Sequence, residues 1–195
     1  MQGSNERYEA FKAILKVRLN EKRYFHSLCV ADEAERLASK YGADTEKAYL
    51  AGLLHDITKN TSAEEHLKMF SEFGIIPNEV ERGAEKLWHA MTGAAYVKNA
   101  LGVTDEEILT AIRLHTTAAA DMSLLSKILY LADFTSRDRD YEDVDTIRAY
   151  VDESLEKAFI YALRYTIKDL TENGRAIHPD TVAAYNQAVL GRNEH

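Results

Sequence analysis

One cysteine, Cys29, stands in a chain of 195 residues, so no internal disulfide forms, and a reducing compartment fits that scarcity. Two prolines and nine glycines are too few for many short strands and tight turns, and favour long helices. No apolar run reaches the roughly 20 residues that cross a bilayer. The opening stretch, MQGSNERYEAF, also lacks the basic-then-apolar plan of a secretory leader. Positive charge is in short supply: 24 Lys and Arg against 32 Asp and Glu leave a net charge of −8. A sequence-independent grip on nucleic-acid phosphates is therefore not expected. The expectation is a cytoplasmic protein with neither nucleic-acid nor membrane partners. A small anionic ligand remains compatible, provided a metal ion or a local group of Lys and Arg reverses the field.

What is present is helical periodicity. Apolar residues make up 46% of the chain and charged residues 29%, as in a globular protein able to bury a substantial core. The pattern predicts helices over 5–19, 21–41, 45–58, 62–73, 79–87, 90–101 and 104–115, with Gly42, Gly74 and Gly102 as stops. Asp44 can cap the third, and Thr104 to Glu107 has capping-box spacing. Ser123 is placed to cap another helix, two more cover 145–172, and a last one spans 180–190. The charged run TSRDRDYEDVD, 135–145, is the longest loop candidate, and no repeat or domain boundary is visible. The fold class read from this is all-α, a helical bundle in a single domain over 1–195.

The stretch YLAGLLHDITKN, 49–60, raises the functional question. It is apolar nearly all round, yet it ends in His55-Asp56 with Lys59 one turn further on, and burying such groups is costly without compensation. Similar breaches occur in RYFHSLCV, LWHAMTG, IRLHTT and YLADF, which carry His26, His89, His115 and Asp133. A lone histidine on an apolar face usually reads as a satisfied core residue. Five breaches in one bundle suggest convergence, and imidazole with carboxylate suits Fe, Mn, Ni or Zn ions. Cys29 reads as core rather than a group near the metal, Trp88 and most tyrosines as packing rather than base-stacking groups, and Arg137 to Asp140 as a solvated charge run rather than a phosphate loop. His66 and His195 read as surface residues without a role.

The order His26, His55-Asp56, His89, His115, Asp133 resembles the HD-domain superfamily of metal-dependent phosphohydrolases. The stretches RYFHSLCVADEAERLA, GLLHDITK, LWHAMTGA, EILTAIRLHTT, LSKILYLADF and HPDTVAAYN resemble one branch more closely, the bacterial symmetrical diadenosine tetraphosphate hydrolases of the YqeK type. They run from about residue 20 to 186.

The resemblance implies that His26, His55, Asp56 and Asp133 hold a divalent transition metal, most often iron, with Mn, Co, Ni and Zn as alternatives. One ion is expected, and His89 with His115 are available to a second. It further implies that Lys59, His89, His115 and Thr116 face the substrate phosphates and that Arg139 contacts them. Arg23 is a further phosphate candidate, and Ile177, His178, Pro179, Asp180 and Thr181 line the nucleotide. Asp56, Lys59, His89 and His115 are the expected catalytic set, with ADP or GDP as product-like ligands. His178, before Pro179, reads equally as a structural turn. Two departures lie beside the expected substrate pocket: Ser136-Arg137 where the branch has Glu-Pro, and Ala118 where it has glycine. Competing readings are a phosphohydrolase of mononucleotides or cyclic nucleotides, a non-catalytic nucleotide sensor and a helical scaffold. A homodimer is left open.

Overall fold

Eleven α-helices and one 3₁₀ turn make up the regular structure of residues 2–191, the part described by the computed structural model, and no strand occurs among them. The chain opens with α1 (Gln2–Arg18) and α2 (Glu21–Tyr41). Asn20 caps α2 by accepting from the Arg23 amide, and Gly42 ends it in the left-handed conformation. Helix α3 (Thr45–Leu54) follows its Asp44 cap, and α4 (Ala63–Phe73) begins with a capping box between Ser62 and Glu65.

Then come α5 (Glu79–Gly83), the 3₁₀ turn at 85–87, α6 (Trp88–Asn99) and α7 (Glu106–Leu114). Helices α8 (Leu124–Thr135), α9 (Val144–Glu153), α10 (Leu155–Glu172) and α11 (Pro179–Leu190) complete the chain. Ser123 caps α8 as expected, and Ser154 divides α9 from α10.

Three elements differ from the periodicity. Helix α3 stops at Leu54 rather than 58, because the chain tightens into three-residue turns, Ile57 N–H to Leu54 and Lys59 N–H to Asp56. The apolar pattern runs on through Ile57 because these turns are buried too. The predicted 79–87 helix breaks after Gly83 into a five-residue α5 and the 3₁₀ turn. The cap of α7 is Asp105, not Thr104: its carboxylate accepts from the amides of Glu107 and Ile108.

Helix α8 is the central apolar element. Leu125, Ile128, Leu129, Tyr130 and Leu131 are buried along it, and it packs against α2, α3, α7 and α10. Each such side chain is worth about 1.5–3 kcal/mol of transfer free energy. The backbones of α2 and α3 approach closely at Gly52. A Cβ on Gly52 would lie 2.7 Å from Ala31 Cα and 2.9 Å from the Val30 carbonyl oxygen, so only glycine fits. That approach lays the last turn of α3 against the middle of α2, and the His26 and His55 rings lie 5.3 Å apart beside it.

Candidate metal centre

Five elements deliver the polar breaches to one place. His26 comes from the first turns of α2, His55 and Asp56 from the turn after α3, and His89 from the start of α6. His115 caps the end of α7, and Asp133 lies near the end of α8. His26, His55, Asp56, His89 and His115 are all at most 3% exposed, so none is hydrated as a surface group.

The hydrogen bonds decide which nitrogens are free. His55 Nδ1 is 2.7 Å from the Gly52 carbonyl and His115 Nδ1 is 2.6 Å from that of Ile112. A carbonyl only accepts, so each Nδ1 donates and each ring presents its Nε2 inward. His26 Nδ1 donates to Asp138 Oδ2 at 2.8 Å, which turns its Nε2 toward Asp133 Oδ1 at 2.9 Å. His89 Nε2 lies 3.2 Å from Asp56 Oδ1 and 3.1 Å from His115 Nε2.

His55 Nε2 and Asp56 Oδ1 are buried without a hydrogen-bond partner. Orphaned acceptors of this kind are costly, and a cation is the group that satisfies both at once. His26, His55 and Asp56 offer ligand atoms within 4.8 Å of one another; so do His55, His115 and Asp133, and likewise Asp56, His89 and His115. Neutral imidazole with ionised carboxylate is the donor set of a transition-metal site. The residues fit a divalent metal ion.

The charges agree. Burial would raise the Asp56 carboxyl, but His55, His115 and His89 outweigh it and hold it well below the ordinary carboxylate range. Asp133 is likewise depressed against its burial, chiefly by the Arg139 guanidinium and then His26. Burial would depress His26, yet Asp133 and Asp138 on its two nitrogens raise it to about 9. Burial brings His89 down to about 4, so its ring is neutral near pH 7.

Three cations rim the cluster. Arg23 Nη1 is 3.1 Å from Asp56 Oδ2, and Lys59 Nζ is 3.1 Å from His89 Nε2 and 4.0 Å from Asp56 Oδ1. Arg139 pairs with the Asp133 carboxylate and donates Nε to the Asp133 carbonyl at 2.6 Å.

The C-terminal stretch sits differently. Among the described residues, no hydrogen bond or ion pair joins 177–181 to the cluster. His178 Nδ1 accepts from the Asp180 amide as the cap of α11, while its Nε2 meets Asn78 at 2.9 Å and Glu81 at 3.5 Å. Thr181 Oγ1 donates to the Thr117 carbonyl at 2.7 Å, beside Thr116, whose own Oγ1 is buried and unpartnered.

Two residues differ from what the sequence predicts. Asp138 belongs to the run read as solvated, but it holds His26, and Ser136 Oγ donates to its other oxygen at 2.8 Å. The Ser136 departure thus supports that carboxylate. His66, read as a surface residue, is 6% exposed, with Nδ1 2.9 Å from Thr92 Oγ1 and its ring edge-on to Trp88. The acidic and basic neighbours of His66 on α4 hid its inward face. Cys29 is buried and free, and His195 lies outside the described residues.

Comparison with known proteins agrees with this geometry. A family model described as HD domain matches residues 23–138. The chain is 38% identical over 177 residues to the symmetrical bis(5′-nucleosyl)-tetraphosphatase of Halalkalibacterium halodurans, covering 91% of this chain and 94% of that one. It is 36% identical over 179 residues to the protein of the same name from Bacillus subtilis, covering 92% and 96%. It is also similar to a crystal structure from Clostridium acetobutylicum, described as a predicted HD superfamily hydrolase involved in NAD metabolism. There the TM-score is 0.91 at 38% identity, covering 94% of this chain and 97% of that one.

Proposed function

The chain belongs to the HD domain family, and from that premise we propose that it is a symmetrical bis(5′-nucleosyl)-tetraphosphatase. It hydrolyses diadenosine tetraphosphate and related dinucleoside polyphosphates at the central anhydride. Water adds to one inner phosphorus, the bridging oxygen leaves with the other half, and two molecules of ADP result. The observation that carries the reading is the gathering of His26, His55, Asp56, His115 and Asp133 into groups whose ligand atoms lie within 4.8 Å of one another, with His55 Nε2 and Asp56 Oδ1 unpartnered and Arg23 and Lys59 at the rim.

His26, His55, Asp56 and Asp133 are the residues we assign to a divalent ion, with iron first and Mn, Co, Ni and Zn behind it. Such an ion supplies a lowered water pKa and neutralises charge on the phosphoryl group. Asp56 Oδ1, which accepts from no protein donor, is placed to accept from the attacking water. Lys59 and Arg23 donate to the anionic phosphate oxygens, where fixed donors stabilise the charge that develops. Arg139 orients Asp133 and reaches the phosphates from the same side. His89, His115 and Asp56 form a second group able to hold a metal ion, a role that suits the neutral His89 ring. The Thr116 hydroxyl faces the phosphates, and residues 177–181 line one nucleoside. The bundle works as one domain. A cytoplasmic location accords with the free, buried Cys29 and with the lack, among the described residues, of a helix long and apolar enough to cross a membrane.

The test is product analysis with diadenosine tetraphosphate, using protein loaded separately with Fe(II), Mn(II), Co(II), Ni(II) and Zn(II), beside Asp56→Ala. ADP as the sole product and an inactive variant are expected. ATP plus AMP would overturn the symmetrical cleavage, and no turnover with any metal would overturn the substrate. Release of inorganic phosphate from mononucleotides would instead favour the mononucleotide phosphohydrolase.

A further inference from the structure

A cleft of about 410 Å³ opens beside the metal-ligand cluster, shares Lys59 and His89 with it, and is lined further by Arg23, His66, Lys86 and Trp88. Three of these six are cations, and Glu85 is the one carboxylate on the lining. In a chain of net charge −8, that is a local reversal of field suited to phosphate. His66 is the exception. It is more than nine-tenths buried and belongs to none of the metal-ligand groups.

Its chemistry follows from its neighbours. Thr92 Oγ1 donates its single hydrogen to the Trp88 carbonyl at 2.9 Å, and Thr58 Oγ1 donates to the His89 carbonyl at 2.9 Å. With the Thr92 hydrogen on the Trp88 carbonyl, Thr92 accepts from His66 Nδ1, and this arrangement assigns the imidazole proton to Nδ1. Burial lowers the imidazole pKa and keeps the ring neutral. Nε2 is left as a lone pair, without a partner among the described residues, on a ring that lines the cleft. A lone pair repels phosphate oxygens. It matches a donor, such as a ribose hydroxyl or an exocyclic amino group.

A ligand that satisfies both the cations and this acceptor carries phosphates and a nucleoside. We propose that the cleft seats the second nucleoside of the dinucleoside substrate, with His66 Nε2 accepting a hydrogen bond from it. The proposal rests on the dinucleoside tetraphosphate reading. Residues 177–181 are assigned to one nucleoside, and the cleft supplies a place for the other, continuous with Lys59 and Arg23 along the phosphate chain. His66 is a specificity-determining residue here, not a catalytic one.

Metal-loaded wild type is compared with His66→Phe, which fills the space without an acceptor, and with His66→Gln, whose amide oxygen accepts. The readouts are KM and kcat for diadenosine tetraphosphate, and the inhibition constant of adenosine 5′-tetraphosphate, which has the same four phosphates and one nucleoside. His66→Phe is expected to raise KM about fivefold, the loss of one neutral hydrogen bond. Turnover and the inhibition constant should each stay within about twofold. His66→Gln should recover most of the KM, and His66→Met serves if the phenylalanine does not fold. An unchanged KM, or equal losses for both ligands, would overturn the subsite alone. A wild type that turns over no diadenosine tetraphosphate would overturn the hydrolase reading and the subsite with it.

Discussion

His26 Nδ1 donates to Asp138 Oδ2 at 2.8 Å, across 112 residues of chain. A carboxylate behind an imidazole fixes the tautomer, aims the other nitrogen and raises its basicity. Asp138 is itself pulled down to about 2: burial opposes this, but His26 and Ser136 stabilise the anion. Asp138→Asn is therefore expected to weaken Mn(II) binding about 10–100-fold while the protein stays folded. Calorimetric titration of the metal, with a thermal melt beside it, measures both. Unchanged affinity would show that His26 needs no such support.

The same pair sets a pH dependence. In the metal-free protein His26 is raised from 6.5 to about 9, so it is protonated at neutral pH. The sign for stability follows: the pairing contributes fully below 6.5 and is lost as pH rises through about 9. A metal ion needs the neutral ring, so binding must displace that proton. Apparent Mn(II) affinity should rise about tenfold between about pH 7 and 8, with about one proton released, and level off above about 9. Titrations in buffers of different ionisation enthalpy count the protons. A flat profile would mean that His26 is not a ligand.

How far the sequence reached depends on what kind of signal each residue leaves. Helix α2 was read to its ends because Gly42 punctuates the pattern, whereas α3 was read too long because periodicity reports burial, and the turn through Ile57 is as buried as the helix before it. The cluster residues were legible as polar groups on apolar faces. Asp138 was not, because it stands among Arg137, Arg139 and Asp140, where one carboxylate looks like another until α2 is laid against it. His66 failed for a related reason: its partner Thr92 comes from α6, and no local pattern announces that contact.

Gly52 couples packing to the centre. A methyl group there would meet Ala31 Cα at 2.7 Å and the Val30 carbonyl at 2.9 Å, backbone atoms that cannot step aside. Gly52→Ala should cost about 1–3 kcal/mol, the usual penalty of overpacking. Because the Gly52 carbonyl accepts from His55 Nδ1, pushing α3 off α2 also turns that imidazole. The extra stability conferred by Mn(II) in urea titrations should therefore shrink in the variant. Gly83→Ala, where the added carbon meets open space, should stay within about 0.5 kcal/mol and keep the full metal effect.

Ala118 makes an opposite case, because glycine should be tolerated there. It is fully buried with φ at 54°, the left-handed region, and its amide donates to the Leu114 carbonyl at 2.8 Å to close the end of α7. An L side chain there costs about 1–2 kcal/mol, and glycine loses about 0.5–1 kcal/mol more backbone entropy on folding. Burial of the methyl is worth about 0.8 kcal/mol, so the three terms nearly cancel and Tm should stay within about 2 °C for a chain of this size. Ala118→Gly should thus leave Tm nearly unchanged, whereas a buried alanine in an ordinary conformation would lose stability on the same change. The segment also carries Thr116 and the Thr117 carbonyl that anchors Thr181, so relief of strain should leave KM for diadenosine tetraphosphate unchanged. A fall in Tm would mean that the alanine methyl contributes more by packing than its backbone costs. A raised KM with an unchanged Tm would mean that the strained alanine positions Thr116 for the substrate.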